Sequence, residues 1–159
     1  MQESNFTEVK FFSASELNQL LLLENQQIQK VTYFNWVNKA KNDEAVEFLD
    51  KIEFTFIDKE TICISVSELM DALEVIDFNI IAVNKELYDK FEGDVYIKES
   101  DVSNSDVWQN VLEYEINEVQ LEMNEKHEYF SDKILLSFGP EKRLISLGQQ
   151  GIVVTIPSL

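Results

Sequence analysis

The sequence predicts an α+β protein. Its parts are two tandem copies of one unit, a helix plus antiparallel strands, with short helices packed on antiparallel β-sheet. Three observations predict this. Apolar and polar residues alternate over short stretches, the period of a half-buried strand. Two serine-led segments carry apolar residues at helical spacing. A Phe-x-Asp-Lys-Ile motif occurs twice in the same setting, at residues 48–52 and 130–134.

The first unit opens with Ser15-Glu16-Leu17-Asn18-Gln19-Leu20-Leu21-Leu22. Ser15 offers an N-cap oxygen, and Glu16 puts an acid where the helix dipole favours negative charge. Leu17, Leu20 and Leu21 fall at helical spacing. A strand follows at residues 28–33. Residues 34–47 read as an insertion, polar and turn-like through Asn38-Lys39-Ala40-Lys41-Asn42-Asp43-Glu44. Ile52, Phe54 and Phe56 then alternate on one face of a second strand. The turn Ile57-Asp58-Lys59-Glu60 and the strand Ile62-Cys63-Ile64-Ser65-Val66 complete a hairpin. Residues 73–76 close the unit.

The second unit repeats the order. Ser105-Asp106-Val107-Trp108-Gln109-Asn110-Val111-Leu112 reads as a helix, residues 116–121 as a strand. Ile134, Leu136 and Phe138 alternate as their counterparts do, and Gly139-Pro140-Glu141-Lys142 makes the turn. Strands at 144–147 and 152–156 finish the unit. The approximate repeats are 13–77 and 103–157, within one compact domain over 1–159. In the connector, 78–102, residues 83–91 predict a short helix and 94–97 a short strand.

The charge is strongly one-sided: 13 Lys and Arg against 30 Asp and Glu, a net charge of −17. Such a surface repels nucleic acid and anionic lipid and attracts basic proteins. Eleven Phe, five Tyr and two Trp supply enough apolar area for a core and argue against disorder. Cys63 is the single cysteine, so no internal disulfide forms and a reducing compartment is expected. Met1-Gln2-Glu3-Ser4 has no signal-peptide pattern, and no apolar run approaches the ~20 residues that span a bilayer. A cytoplasmic location is expected.

No catalytic set stands out, and neither cofactor nor metal is expected. His127, the single histidine, lies in the polar stretch Asn124-Glu125-Lys126-His127-Glu128. Cys63 sits mid-strand between isoleucines, as a structural thiol does. One Cys and one His do not make a zinc set. The segment from Asp101 lacks the sixth-position glycine of a calcium loop and has Leu112 at its twelfth position. Gly93, Gly139, Gly148 and Gly151 form no phosphate-binding pattern. Among 30 acids, carboxylate pairs arise by chance.

The acids instead suggest contact surfaces. Glu113, Glu115, Glu118, Glu122, Glu125 and Glu128 crowd one region. There Val119, Leu121 and Met123 point one way, and Glu118, Gln120 and Glu122 the other. Glu92, Asp94, Glu99, Asp101 and Asp106 make a second cluster, and Asp43, Glu44 and Glu47 a third. Like charges at this density repel, and a partner bearing Lys and Arg relieves the repulsion. Trp36 is of the type that anchors interfaces. The candidate partner-binding residues are therefore Trp36, Asp43, Glu44, Glu47, Glu99, Asp101, Asp106, Glu115, Glu118 and Glu122.

The layout Ser105 to Leu112, then Ile116 and Val119, then Ile134-Leu135-Leu136-Ser137-Phe138 and a hydrophobic final strand resembles a known family. It is similar to the small acidic immunity proteins of bacterial polymorphic toxin and contact-dependent inhibition systems. In many of these a Trp-bearing helical turn precedes an isoleucine-valine strand and a final hairpin. The likeness spans residues 105–157 and, more loosely, 15–77. It departs where the family commonly has a glycine before the first strand; here stand Glu113-Tyr114-Glu115. The resemblance carries over no site residue. It implies a non-enzymatic protein that binds and neutralises a cognate toxin, often a basic nuclease. An adaptor or structural subunit with a basic protein partner is the alternative, and an enzyme using only carboxylates is a third reading.

Overall fold

The computed structural model describes residues 9–40 and 44–157. In chain order the elements are α1 (Ala14–Leu21), β1 (Ile28–Asn38), β2 (Val46–Phe56), β3 (Thr61–Val66), β4 (Leu73–Ile76), α2 (Ile80–Phe91) and β5 (Val95–Asp101). Then come β6 (Glu118–Gln120), β7 (Lys133–Phe138), β8 (Glu141–Leu147) and β9 (Ile152–Thr155). The strands form a five-stranded sheet, β4-β3-β2-β1-β5, and a four-stranded sheet, β6-β7-β8-β9. Every pairing is antiparallel. The fold is α+β, as the sequence predicts. No helix among the described residues is long and apolar enough to cross a membrane.

Local chemistry sets the helix start, though not where the sequence reading put it. The N-cap is Ser13, not Ser15. Ser13 Oγ accepts from Glu16 N–H at 3.2 Å, and Glu16 Oε1 accepts from Ser13 N–H at 2.9 Å. This reciprocal capping box needs a serine three residues before the acid, and Ser15 stands only one before it.

Residues 105–112 are not the predicted helix but a run of turns. Trp108 N–H bonds Ser105 O, Val111 N–H bonds Trp108 O, and Tyr114 N–H bonds Val111 O. The Val107 carbonyl, which a helix would give to Val111 N–H, instead accepts from Arg143 Nε. A buried guanidinium thus takes the acceptor that would have continued the helix.

The predicted insertion at 34–47 is strand at both its ends. β1 runs through to Asn38 and β2 begins at Val46, with Trp36 opposite Phe48 and Val37 opposite Glu47. β5 pairs along this same distal half of β1, from Asn38–Val95 to Thr32–Asp101. Pairing on both sides holds Phe34 to Asn38 extended, while Lys39, Ala40, Glu44 and Ala45 lie outside the strands, as expected of a turn.

The two sheets share one hydrophobic core. Val31, Ile52, Phe54 and Ile64 of the large sheet meet Ile134, Leu136, Phe138 and Ile145 of the small one, with Leu20 and Leu23 from and just after α1. Trp108, fully buried, sits in this core with its ring edge-to-face on Phe54 at 5.4 Å. Its indole N–H donates to Tyr33 Oη at 2.8 Å. On the opposite face of β1, Phe34 packs with Leu87, Val95 and Ile97 beneath α2. The pairing orders β1-β2-β3-β4 and β6-β7-β8-β9 are alike, but consecutive hairpins produce that order in any meander, with or without a duplication.

Candidate functional site

The candidate contact residues do not form one surface. Trp36 lies half-buried in β1, packed against the Phe34, Leu87, Val95 and Ile97 cluster. Asp43 lies outside the described residues. Glu44 is exposed just before β2, and Glu47 on β2 reaches Lys98 Nζ at 3.3 Å. Glu99 and Asp101, expected in a connector, stand on β5. They pair with Phe34 and Thr32. Asp106 is exposed among the turns.

Cross-strand register brings Glu53 to the same face as Glu99 and Asp101, since Thr32 is opposite both Glu53 and Asp101. Sequence reading missed Glu53. Its only signal was its place between the inward residues Ile52 and Phe54, and the pairing with β5 had to be known before that mattered. Burial, then the nearby charge of Glu99, pushes the Glu53 carboxyl above the usual range, against a lowering by Lys30. Asp101 goes the other way. The Ser103 hydroxyl at 2.6 Å and its N–H at 3.0 Å hold its carboxyl below the usual range.

Glu74, on β4, is also raised, first by burial and then by Glu16. For both raised glutamates the folded protein takes up protons at a higher pH than the unfolded chain, whose glutamates titrate near ~4.3. Stability therefore rises as pH falls through their folded pKa values toward that figure. Self-repulsion among the acids adds in the same direction. The urea midpoint at constant ionic strength is expected to be higher at pH 5 than at pH 7.5. Glu53→Gln with Glu74→Gln is expected to flatten the difference. A midpoint that falls on acidification would contradict the assignment.

The second acidic group belongs to the small sheet. Glu115 is exposed beside the bridge it makes with Gln27, and Glu118 lies on β6. Glu122 pairs with Lys133 at 3.0 Å. Along this segment the expected alternation is found. Val119 and Leu121 pack against the main core while Glu118, Gln120 and Glu122 are exposed. Beside β6 runs an apolar groove of about 590 Å³, whose other wall is α1.

Cys63 lies in the large sheet and His127 in a turn beside the small one. Cys63 is buried in β3, and desolvation pushes its thiol up to about 12. His127 is exposed in the turn after β6. Among the described residues no group of three or more His, Cys, Asp or Glu is placed to hold a metal ion. Comparison of the chain with protein-family models, curated proteins and solved structures found no match.

Proposed function

We propose that the protein is a non-enzymatic acidic binding protein, an immunity-type protein that neutralises a basic toxin, of the nuclease kind, by covering part of its surface. One observation carries this reading. Glu113, Glu115, Glu118, Glu122, Glu125 and Glu128 are all exposed on and beside β6, and among the described residues only Glu122 of the six is in a salt bridge. Like charges gathered along one short segment make a negative surface, and a partner surface rich in Lys and Arg complements it on docking. Charge of this kind speeds association, and salt screens it. The likeness of residues 105–157 to toxin-neutralising proteins points the same way.

A second reading is an adaptor. The separate acidic face at Glu53, Glu99 and Asp101 favours it, because two acidic faces on two sheets suit a bridging protein. Co-expression with the gene immediately upstream separates the readings. The upstream product alone is expected to kill the host, and the pair to allow growth and to co-purify at low salt. Association is expected to slow as salt rises. A harmless neighbour, or one that binds without any effect on survival, removes the toxin reading.

A further inference from the structure

Sheet edges offer unpaired backbone groups, and proteins close them. Two edges here are closed by specific bonds. On β4, Val75 N–H donates to Glu16 Oε2 at 2.9 Å and Leu73 N–H to Ser131 O at 2.7 Å. On β5, Ile97 N–H donates to Asn84 Oδ1 at 2.8 Å, and its carbonyl accepts from Asn84 Nδ2 at 3.0 Å. The edge strands of the small sheet differ. Among the described residues, the backbone of β6 bonds with β7 and that of β9 with β8, and neither bonds with anything on its outer side; of the two, β6 is the one beside an apolar groove.

That edge borders the groove shared with α1. Leu17, Asn18 and Leu21 of α1 line one wall, and Val119, Gln120, Leu121, Met123 and Tyr129 the other. Leu21 is 54% and Met123 49% exposed, so apolar surface is left facing solvent. Away from the groove stand Glu118, on β6, and Glu122, two residues past its end, both exposed. The edge is thus apolar toward the groove, acidic on the opposite face, and open in its backbone.

We infer that β6 is a strand-addition site, which takes an extended segment of a basic protein partner whose side chains alternate apolar and basic. Main-chain bonds to an open edge hold any extended chain, and side-chain pockets at alternate positions select which one. Cross-strand neighbours on one face sit close enough to interact directly. The added strand therefore places every second side chain in the α1 groove, where apolar groups fit. Those between lie over Glu118 and Glu122, where Lys or Arg fits. A docking helix satisfies its own backbone and leaves the edge open. Nucleic acid brings the wrong charge sign. This inference deepens the acidic-edge reading and rests on it.

The probe is a capped eight-residue peptide of alternating lysine and valine, titrated into the 15N- and methyl-labelled chain. Expected are shifts at the amides of Glu118, Val119 and Gln120 and at the methyls of Leu17 and Leu21. Leu21→Lys combined with Met123→Lys is expected to weaken binding at least tenfold with little change in Tm, since both side chains are largely exposed. A peptide N-methylated along one edge, of equal charge, is expected to lose at least tenfold as well. Equal binding by the N-methylated peptide, equal binding by the double variant, shifts centred on Glu53, Glu99 and Asp101, or no binding each overturn the inference. The co-expression assay separates the two levels. If the double variant protects the host as well as the natural sequence, the strand-addition site is wrong and the toxin reading stands. If the peptide occupies the groove but no toxin is neutralised, the reverse holds.

Discussion

Trp108→Ala is expected to lower the unfolding free energy by about 3–5 kcal/mol, the range for deleting a buried aromatic side chain. The residue is fully buried, and its ring meets Phe54 of the large sheet edge-to-face. Its neighbours Val111 and Ile116 are buried in the same core, alongside Ile134, Leu136 and Phe138 of the small sheet. Removing the indole opens a cavity where the connecting segment meets both sheets, and a close-packed interior closes such a gap only in part. The hydrogen bond adds a separable part. Tyr33→Phe keeps the volume but leaves the Trp108 N–H buried without its acceptor, at a cost of about 1–3 kcal/mol. Urea denaturation of the two variants checks both figures. A loss below about 1 kcal/mol for Trp108→Ala would show that the site collapses freely and that this tryptophan does not tie the sheets together. A small domain holds only about 5–15 kcal/mol in all, so the expected loss takes a large share of it.

What the sequence shows and what it hides follow from where each instruction resides. The strands around Ile52 to Phe56 and Leu73 to Ile76 are legible because period-two burial is written in the residues themselves, and Ile62 to Val66, buried throughout, as a short apolar run after a turn. The acidic alternation at Glu118, Gln120 and Glu122 is legible for the same reason. The distal half of β1 is not, since its extension depends on β5, far along the chain. The run of turns at 103–114 is hidden too. Its residues have helical spacing, but Arg143 from β8 takes the Val107 carbonyl, a tertiary choice that overrides local preference. Of the candidate site, the acidic face could be read from the chain and the groove could not. Val119 and Leu121 declare themselves apolar, but only folding sets Leu17 and Leu21 opposite them. Clustering by sequence position joined Glu99 and Asp101, which stand on β5, but left out Glu53, which shares their face only because β1 pairs with both β2 and β5.

Gly151→Ala is expected to destabilise by about 2–5 kcal/mol, for two reasons that add. Gly151 has φ +81°, where a side chain strains the backbone by roughly 1–2 kcal/mol. A Cβ there would also lie 2.5 Å from Leu49 O and 2.8 Å from Phe48 Cδ2. The first of these is backbone of β2 and does not swing aside, so the overpacking adds about 1–3 kcal/mol. The position matters because Gly151 leads directly into β9, which brings the small sheet against β2 of the large one. Gly93→Ala is the control. Gly93 also has positive φ, +99°, but its nearest contact for a Cβ is a Tyr88 ring carbon at an ordinary 3.8 Å. That variant is expected to lose only the backbone part. The difference between the two urea-derived free energies therefore measures the steric contact at the seam alone. A difference within about 0.5 kcal/mol, the size of an ordinary surface effect, would mean that β9 and β2 separate easily. Hydrogen exchange adds the location. If the seam carries the loss, the β9 amides lose protection in Gly151→Ala before those of β3, which has a paired strand on each side.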